Sequence, residues 1–120
     1  MDIADLEVYR IARELSRSSW KIFQAMDWHD QKIIGDQWIR SIDSVGANIS
    51  EGFGRFHYLD KNKFYYNARG SLSEYQHWSV LMHERGKIGE DFFQRIQTQT
   101  KQLMIKLNNL ITATKSKSNS

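Results

Sequence analysis

Apolar residues recur along this chain at steps of three and four, the interval that gathers them on one face of an α-helix. In the first segment Val8, Ile11, Ala12, Leu15, Ile22 and Met26 follow that rule. Asp2 or Asp5 is placed to cap its start, and Glu7 lies near the positive end of the helix dipole. A second stripe runs Ile34, Trp38, Ile42, Val45, Ile49 and Phe53. Two starts fit it: Asp30 as a direct cap, or a loop packing Ile33 and Ile34 before Gly35 and Asp36 open the helix. Gly46 falls inside this stripe, where glycine costs about 1 kcal/mol relative to alanine, and predicts a bend or a close helix contact. Gly52 and Gly54 flank Phe53 and predict a helix end closed by a left-handed residue.

Asp60 reads as the N-cap of a third helix with Phe64, Ala68, Ser71, Leu72, Tyr75, Ser79 and Met82 on one face. Gly86 and Gly89 punctuate the next turn, and Glu90 and Asp91 suit the first turn of a fourth helix. Its stripe is Phe92, Phe93, Ile96, Thr100, Leu103, Leu107, Leu110 and Ile111. No run of β-branched residues alternates with polar ones over a strand's length. The sequence has no proline in 120 residues, where about six are usual, and this permits long unbroken helices. Four helices of about 20–25 residues with short connections predict an all-α fold, an antiparallel up-down-up-down four-helix bundle. Residues 1–114 form a single domain in this reading, and 115–120 a polar, frayed tail.

Composition narrows the function classes. With 120 residues and 40% hydrophobic content the chain supports one compact core. The lack of cysteine removes disulfides, thiolate metal sites and cysteine nucleophiles, and fits a reducing compartment. The acidic start, Met1 to Asp5, precedes no signal-peptide core, and no apolar run approaches the ~20 residues that span a bilayer. A cytoplasmic protein without membrane contact is expected. The net charge is +3 and unevenly divided. Residues 1–60 hold seven basic and ten acidic groups, and residues 61–120 hold ten basic and four acidic. Such asymmetry steers nucleic acid to the basic side, or lets copies pack head to tail into a ring.

The most specific string is Ser44-Val45-Gly46-Ala47-Asn48-Ile49-Ser50-Glu51-Gly52-Phe53-Gly54-Arg55. It resembles the S-I-P-A-N-I-A-E-G-F-G-R stretch of bacterial four-helix-bundle proteins encoded by intervening sequences of 23S ribosomal RNA genes, the S23 ribosomal protein family. Asp5-Leu6-Glu7-Val8-Tyr9 and Gly70-Ser71-Leu72-Ser73-Glu74 resemble the same family, so the likeness spans nearly the whole chain. Gly46 stands where many relatives carry proline. The resemblance implies a helical bundle assembled as a homopentamer, with no established enzymatic activity and no cofactor. The shape is also similar to accessory bundle proteins of diversity-generating retroelements, which implies an alternative role beside RNA or a reverse transcriptase.

Five positions are candidates for a polar site. Asn48, Glu51 and Arg55 share one face of the second helix, and Ser71 and Glu74 one face of the third. Either Asn48 and Ser71 hydrogen-bond across the helix pair while Glu51 and Arg55 form an ion pair, or the five make a functional polar site at an interface. Glu74 and His77 have the Glu-x-x-His spacing of ferritin-like metal ligands, but the motif occurs once and no metal centre is expected. No catalytic constellation is present, so an enzyme is not expected. Residues 55–69 hold five aromatics, four basic groups and one acid. Within them Arg55, Lys61, Lys63, Tyr65, Tyr66 and Arg69 suit contacts to RNA or DNA, and Phe64 is read as core. Of four tryptophans, Trp20 and Trp78 fall off the main stripes and are read as a homo-oligomer interface.

Overall fold

Each apolar stripe winds into one long helix in the computed structural model, which describes residues 1–118. We label these α1 (Glu7–Ala25), α2 (Asp36–Phe53), α3 (Tyr58–Glu84) and α4 (Glu90–Ser118). The described residues contain no strand, so the protein is all-α. Leu15 of α1, Trp38 and Ile42 of α2, Leu72 and Tyr75 of α3 and Leu103 and Leu107 of α4 are fully buried in one shared core. Burial of such side chains, at about 1.5–3 kcal/mol each, is what holds individually marginal helices in place.

Polar contacts fix the register of each seam. Between α2 and α3, Trp38 Nε1 donates to Ser79 Oγ (2.9 Å) and the Ser44 and Ser71 hydroxyls share a hydrogen bond (3.0 Å). Between α3 and α4, Asn62 Nδ2 donates to the Ile111 carbonyl (3.1 Å) and Arg69 to Asn108 Oδ1 (3.0 Å). His83 meets Glu90 at 2.5 Å. Along each of these seams residue numbers climb on one helix as they fall on the other. Ser16 Oγ donates to Asp43 (2.6 Å) across α1 and α2, and Lys106 pairs with Glu7 (3.0 Å) across α4 and α1.

The structure corrects several boundaries. Asp2 caps a short 3-10 turn, Ile3–Asp5, and α1 starts after Leu6 with no side-chain cap. Of the two expected starts of the second helix, α2 does open at Asp36 behind Gly35, but the segment before it is helical rather than a loop, and Asp30 is not the cap. Asp27 is the cap, its carboxylate accepting the Asp30 N–H at 2.9 Å. One helical turn, Trp28–Asp30, passes through a π turn, Gln31–Gly35, straight into α2. The π turn seats Ile34 in the core and leaves Ile33 outside. It also brings Gly35 under the Phe23 ring, where a Cβ would lie 3.1 Å from a ring carbon.

Gly54 closes α2 in a right-handed conformation (φ −78°), and the left-handed glycine is Gly86 after α3 (φ 71°). Gly52 is required by proximity instead: a Cβ there would sit 2.6 Å from the Tyr65 ring. Gly46 makes neither a break nor a close contact, since α2 runs through it and nothing lies within 4 Å of its would-be Cβ. α3 starts at Tyr58, with Asp60 as a first-turn acid rather than a cap. Its buried register is Tyr65, Ala68, Leu72, Tyr75, Ser79 and Met82, which turns Phe64 half outward. The tail expected to fray from Lys115 is helical to Ser118, because Ile111 and Thr114 anchor the last turns in the core. Residues 119–120 of that tail lie outside the described residues.

Candidate functional site

Asn48 is half-buried on α2, one turn beyond Ser44. Its Nδ2 donates to the Ser44 carbonyl (2.9 Å) and hydroxyl (3.1 Å). The bridge to α3 is made by Ser44 itself, through the Ser71 hydroxyl. Asn48 therefore orients the bridging serine rather than crossing the seam. Further along the helix, Arg55 Nη2 donates to Glu51 Oε1 at 2.6 Å on the surface. Glu74 is exposed and joins none of these contacts. So the five polar candidates split into two members of a bridge (Asn48 and Ser71, joined through Ser44), a surface ion pair (Glu51, Arg55) and an unconnected carboxylate, Glu74.

The turn 55–69 is largely occupied with its own chain. The Arg55 guanidinium lies 4.6 Å from the Phe64 ring centroid, so Phe64 stacks beneath a cation instead of entering the core. Lys61 Nζ donates to the Phe53 carbonyl (2.9 Å) and reaches that of Gly52 (3.4 Å), capping the negative end of α2. Arg69 lies on the Tyr66 ring (4.8 Å) while bonded to Asn108. Tyr65 is a core residue, 2% exposed, and cannot stack on a base. Burial also raises its phenol pKa. Of the six nucleic-acid candidates only Lys63 is exposed without an ion pair, hydrogen bond or ring contact among the described residues, and Tyr66 is exposed beneath Arg69.

The tryptophans part company. Trp20 is exposed (47%), stacked on Phe23 with centroids 5.3 Å apart. Trp78, expected at an interface, packs against the core, and its Nε1 is sealed from solvent without a partner. Trp38 is the centre of a polar cluster that periodicity alone does not single out. Its ring stacks on Tyr75 at 5.8 Å, the Tyr75 and Ser19 hydroxyls share a hydrogen bond (2.7 Å), and Ser79 Oγ donates to the Tyr75 carbonyl (2.7 Å). Desolvation pushes the Tyr75 phenol up to about 12, against the smaller lowering by Ser19 and Ser79. A signal for this cluster exists in the chain: Ser19 and Ser79 are polar residues in register with apolar stripes.

Two clusters have the composition of metal sites. Glu74 and His77 are both exposed, and the imidazole sits edge-on to Trp78 at 5.0 Å. Asp27, His29 and Asp30 bring three ligand atoms within 4.8 Å of one another. Asp27 is the helix cap, its pKa lowered chiefly by the Asp30 N–H, and Asp30 pairs with Lys87 at 2.9 Å. Capping and pairing account for that cluster. Glu90, held by Gln94 and His83, is likewise lowered.

The family model of the 23S rRNA-intervening sequence protein matches residues 4–109. The chain belongs to the 23S rRNA-intervening sequence protein family. A solved structure shares the fold: a protein of unknown function from the S23 ribosomal protein family of Bacteroides thetaiotaomicron VPI-5482. It superposes with a TM-score of 0.80 at 19% identity, over 87% of this chain and 97% of that one. No curated protein matches significantly. Among the described residues, no helix of this 23S rRNA-intervening sequence protein is long and apolar enough to cross a membrane.

Proposed function

We infer that the protein is a non-enzymatic, self-assembling bundle of up-down-up-down antiparallel topology, working in the cytoplasm. The observation that carries this reading is the set of large apolar side chains the core leaves outside. Trp28 and Ile33 stand exposed in the α1–α2 connection, and at the other end Phe56 in the α2–α3 connection with Tyr58 and Leu59 in the first turn of α3. Phe56 is 89% and Leu59 75% exposed. Ile105 adds an exposed apolar position on α4. Grouped apolar surface of this kind marks association sites. Two dissimilar apolar ends favour heterologous contacts, whose closure makes a ring. Five copies is the number the family resemblance implies.

Native mass spectrometry and light scattering test this directly. One closed oligomer, with five subunits, is the expected result. Phe56→Ser with Leu59→Ser is expected to shift it to smaller species while helicity persists. A parent protein that stays monomeric at micromolar concentration overturns the reading.

A further inference from the structure

The half-by-half charge count hides an alignment. Within α1, Arg10, Arg13, Arg17 and Lys21 stand against two carboxylates, Glu14 and the first-turn Glu7, and Glu7 is already paired with Lys106. Steps of three and four residues put the four cations on the outer face, away from the buried Val8, Ile11, Ala12 and Leu15. Successive charges are then about 4.5–6 Å apart along the helix axis. The acids that make residues 1–60 net negative otherwise lie before Val8 or from Asp27 onward.

These cations are available. Arg13, Arg17 and Lys21 are exposed and enter none of the ion pairs among the described residues. Arg10 reaches the Ala4 and Asp5 carbonyls only at 3.5 and 3.4 Å. Arg13 donates to the Tyr9 hydroxyl at 3.0 Å. Together with Ala4 and Glu14, residues Tyr9, Arg10, Arg13 and Arg17 line a surface depression of about 250 Å³. Trp20, one turn from Arg17, adds an exposed indole to the same side of the helix. Those contacts of Arg10 and Arg13 are local, whereas Arg55, Lys87 and Lys106 are held in ion pairs and Lys61 and Arg69 are bonded to neighbouring helices.

We propose that the outer face of α1 binds single-stranded nucleic acid, its four cations pairing with successive phosphates and the Trp20 indole stacking on an unpaired base. Guanidinium groups match phosphate geometry bidentately, which explains a face built mainly from arginine. A stacking ring beside a cationic track is the pattern by which single strands are held without sequence preference. An acidic peptide satisfies the cations but has no base to lay on the indole. The surface is separate from residues 55–69 and does not depend on self-assembly.

Anisotropy of labelled single-stranded RNA and DNA, titrated from about 50 to about 200 mM salt, tests it. Binding at low salt is expected, with log K falling linearly against log salt. Arg17→Ala with Lys21→Ala lowers the steepness by about 1.4 and the affinity at least about tenfold, since each lost cation removes about 0.7 from the slope. Lys63→Ala with Lys101→Ala removes the same charge from exposed positions on α3 and α4 and leaves affinity within about twofold. Trp20→Leu weakens binding about tenfold and abolishes the quenching that the bound strand imposes on indole emission. Absence of binding at low salt overturns the proposal. So does equal loss in the two double variants, or polyglutamate binding as tightly with the same dependence on Trp20.

Discussion

Two glycines six residues apart on α2 face opposite kinds of neighbour. At Gly52 the α3 backbone and the Tyr65 ring come so near that a Cβ would lie 2.9 Å from the Lys61 carbonyl oxygen and 2.6 Å from the ring. At Gly46 the helix looks into an open groove of about 290 Å³ shared with α1 and lined by Ala12, Ser16, Asp43 and Ala47 among others. The first glycine sets how close α2 and α3 can pack. The second sets nothing internal. That contrast separates the two sides of α2: the α3 side is a seam of several short polar bridges and a buried ring, and the α1 side is held by its apolar stripe and the Ser16–Asp43 hydrogen bond, with slack at the rim.

The sharpest way to break the contrast is to fill both positions. Gly52→Ala drives a methyl group against a backbone carbonyl and a buried ring, neither of which can swing away. Overpacking of that kind falls at the upper end of its usual range, so a loss of about 3 kcal/mol in urea unfolding is expected. A Gly52→Ala variant as stable as Gly46→Ala would erase the difference between the two faces. The next effect comes from the same seam at high pH. Tyr75 has its folded pKa raised to about 12 from 10.0. Below the unfolded value both states keep the proton and stability is intact. As pH rises from 10 toward 12 the unfolded chain ionises first, and stability falls by up to about 1.4 kcal/mol per pH unit. Tyr75→Phe flattens that part of the profile, and a variant that parallels the parent would show the phenol is not sealed.

How far the sequence carries these features depends on what each signal measures. Periodicity reports which face is apolar, and it locates four helices and most of the core. It cannot choose between adjacent aromatics that differ by one step, which is why it puts Phe64 inside and Tyr65 outside. Cap chemistry is ambiguous where Asp27 and Asp30 stand three apart, and a π turn leaves no mark in a 3.6-residue pattern. Interleaved cations and rings at 55–69 look alike whether the rings are stacked by the chain's own arginines or by bases. In the structure Arg55 lies on Phe64 and Arg69 on Tyr66, so the chain's own guanidinium groups occupy those two rings. The α1 stripe of cations is readable from spacing, but a charge count over sixty residues averages it away.

On the open side of α2, Gly46→Ala is expected to stabilise. The added methyl meets nothing within 4 Å, so what remains is the backbone entropy that glycine loses in a helix interior, about 0.5–1 kcal/mol. A rise in the urea midpoint with unchanged slope checks it. A destabilised Gly46→Ala would mean that α1 closes over the groove in solution and that the two faces are more alike than the contrast holds.

The smallest effect belongs to the ion pair at the end of α2. Glu51 and Arg55 are both well exposed, 53% and 44% at the side chain, and their spacing is the ordinary helical one. Such pairs contribute about 0.3–0.5 kcal/mol, screened by salt. Glu51→Gln therefore lowers stability by that amount at low salt and by almost nothing at high salt. Arg55 keeps its seat over Phe64 through the ring contact, so the turn into α3 stays folded. The measurement also discriminates between roles for the same residue. A structural pair yields this small, salt-sensitive loss with the oligomer unchanged, whereas a pair serving a subunit contact yields a normal melt with a shifted mass in native spectrometry. The second pattern would move Glu51 from a local ion pair at the end of α2 to the assembly surface, and would add a charged contact to the apolar one made by Phe56 and Leu59.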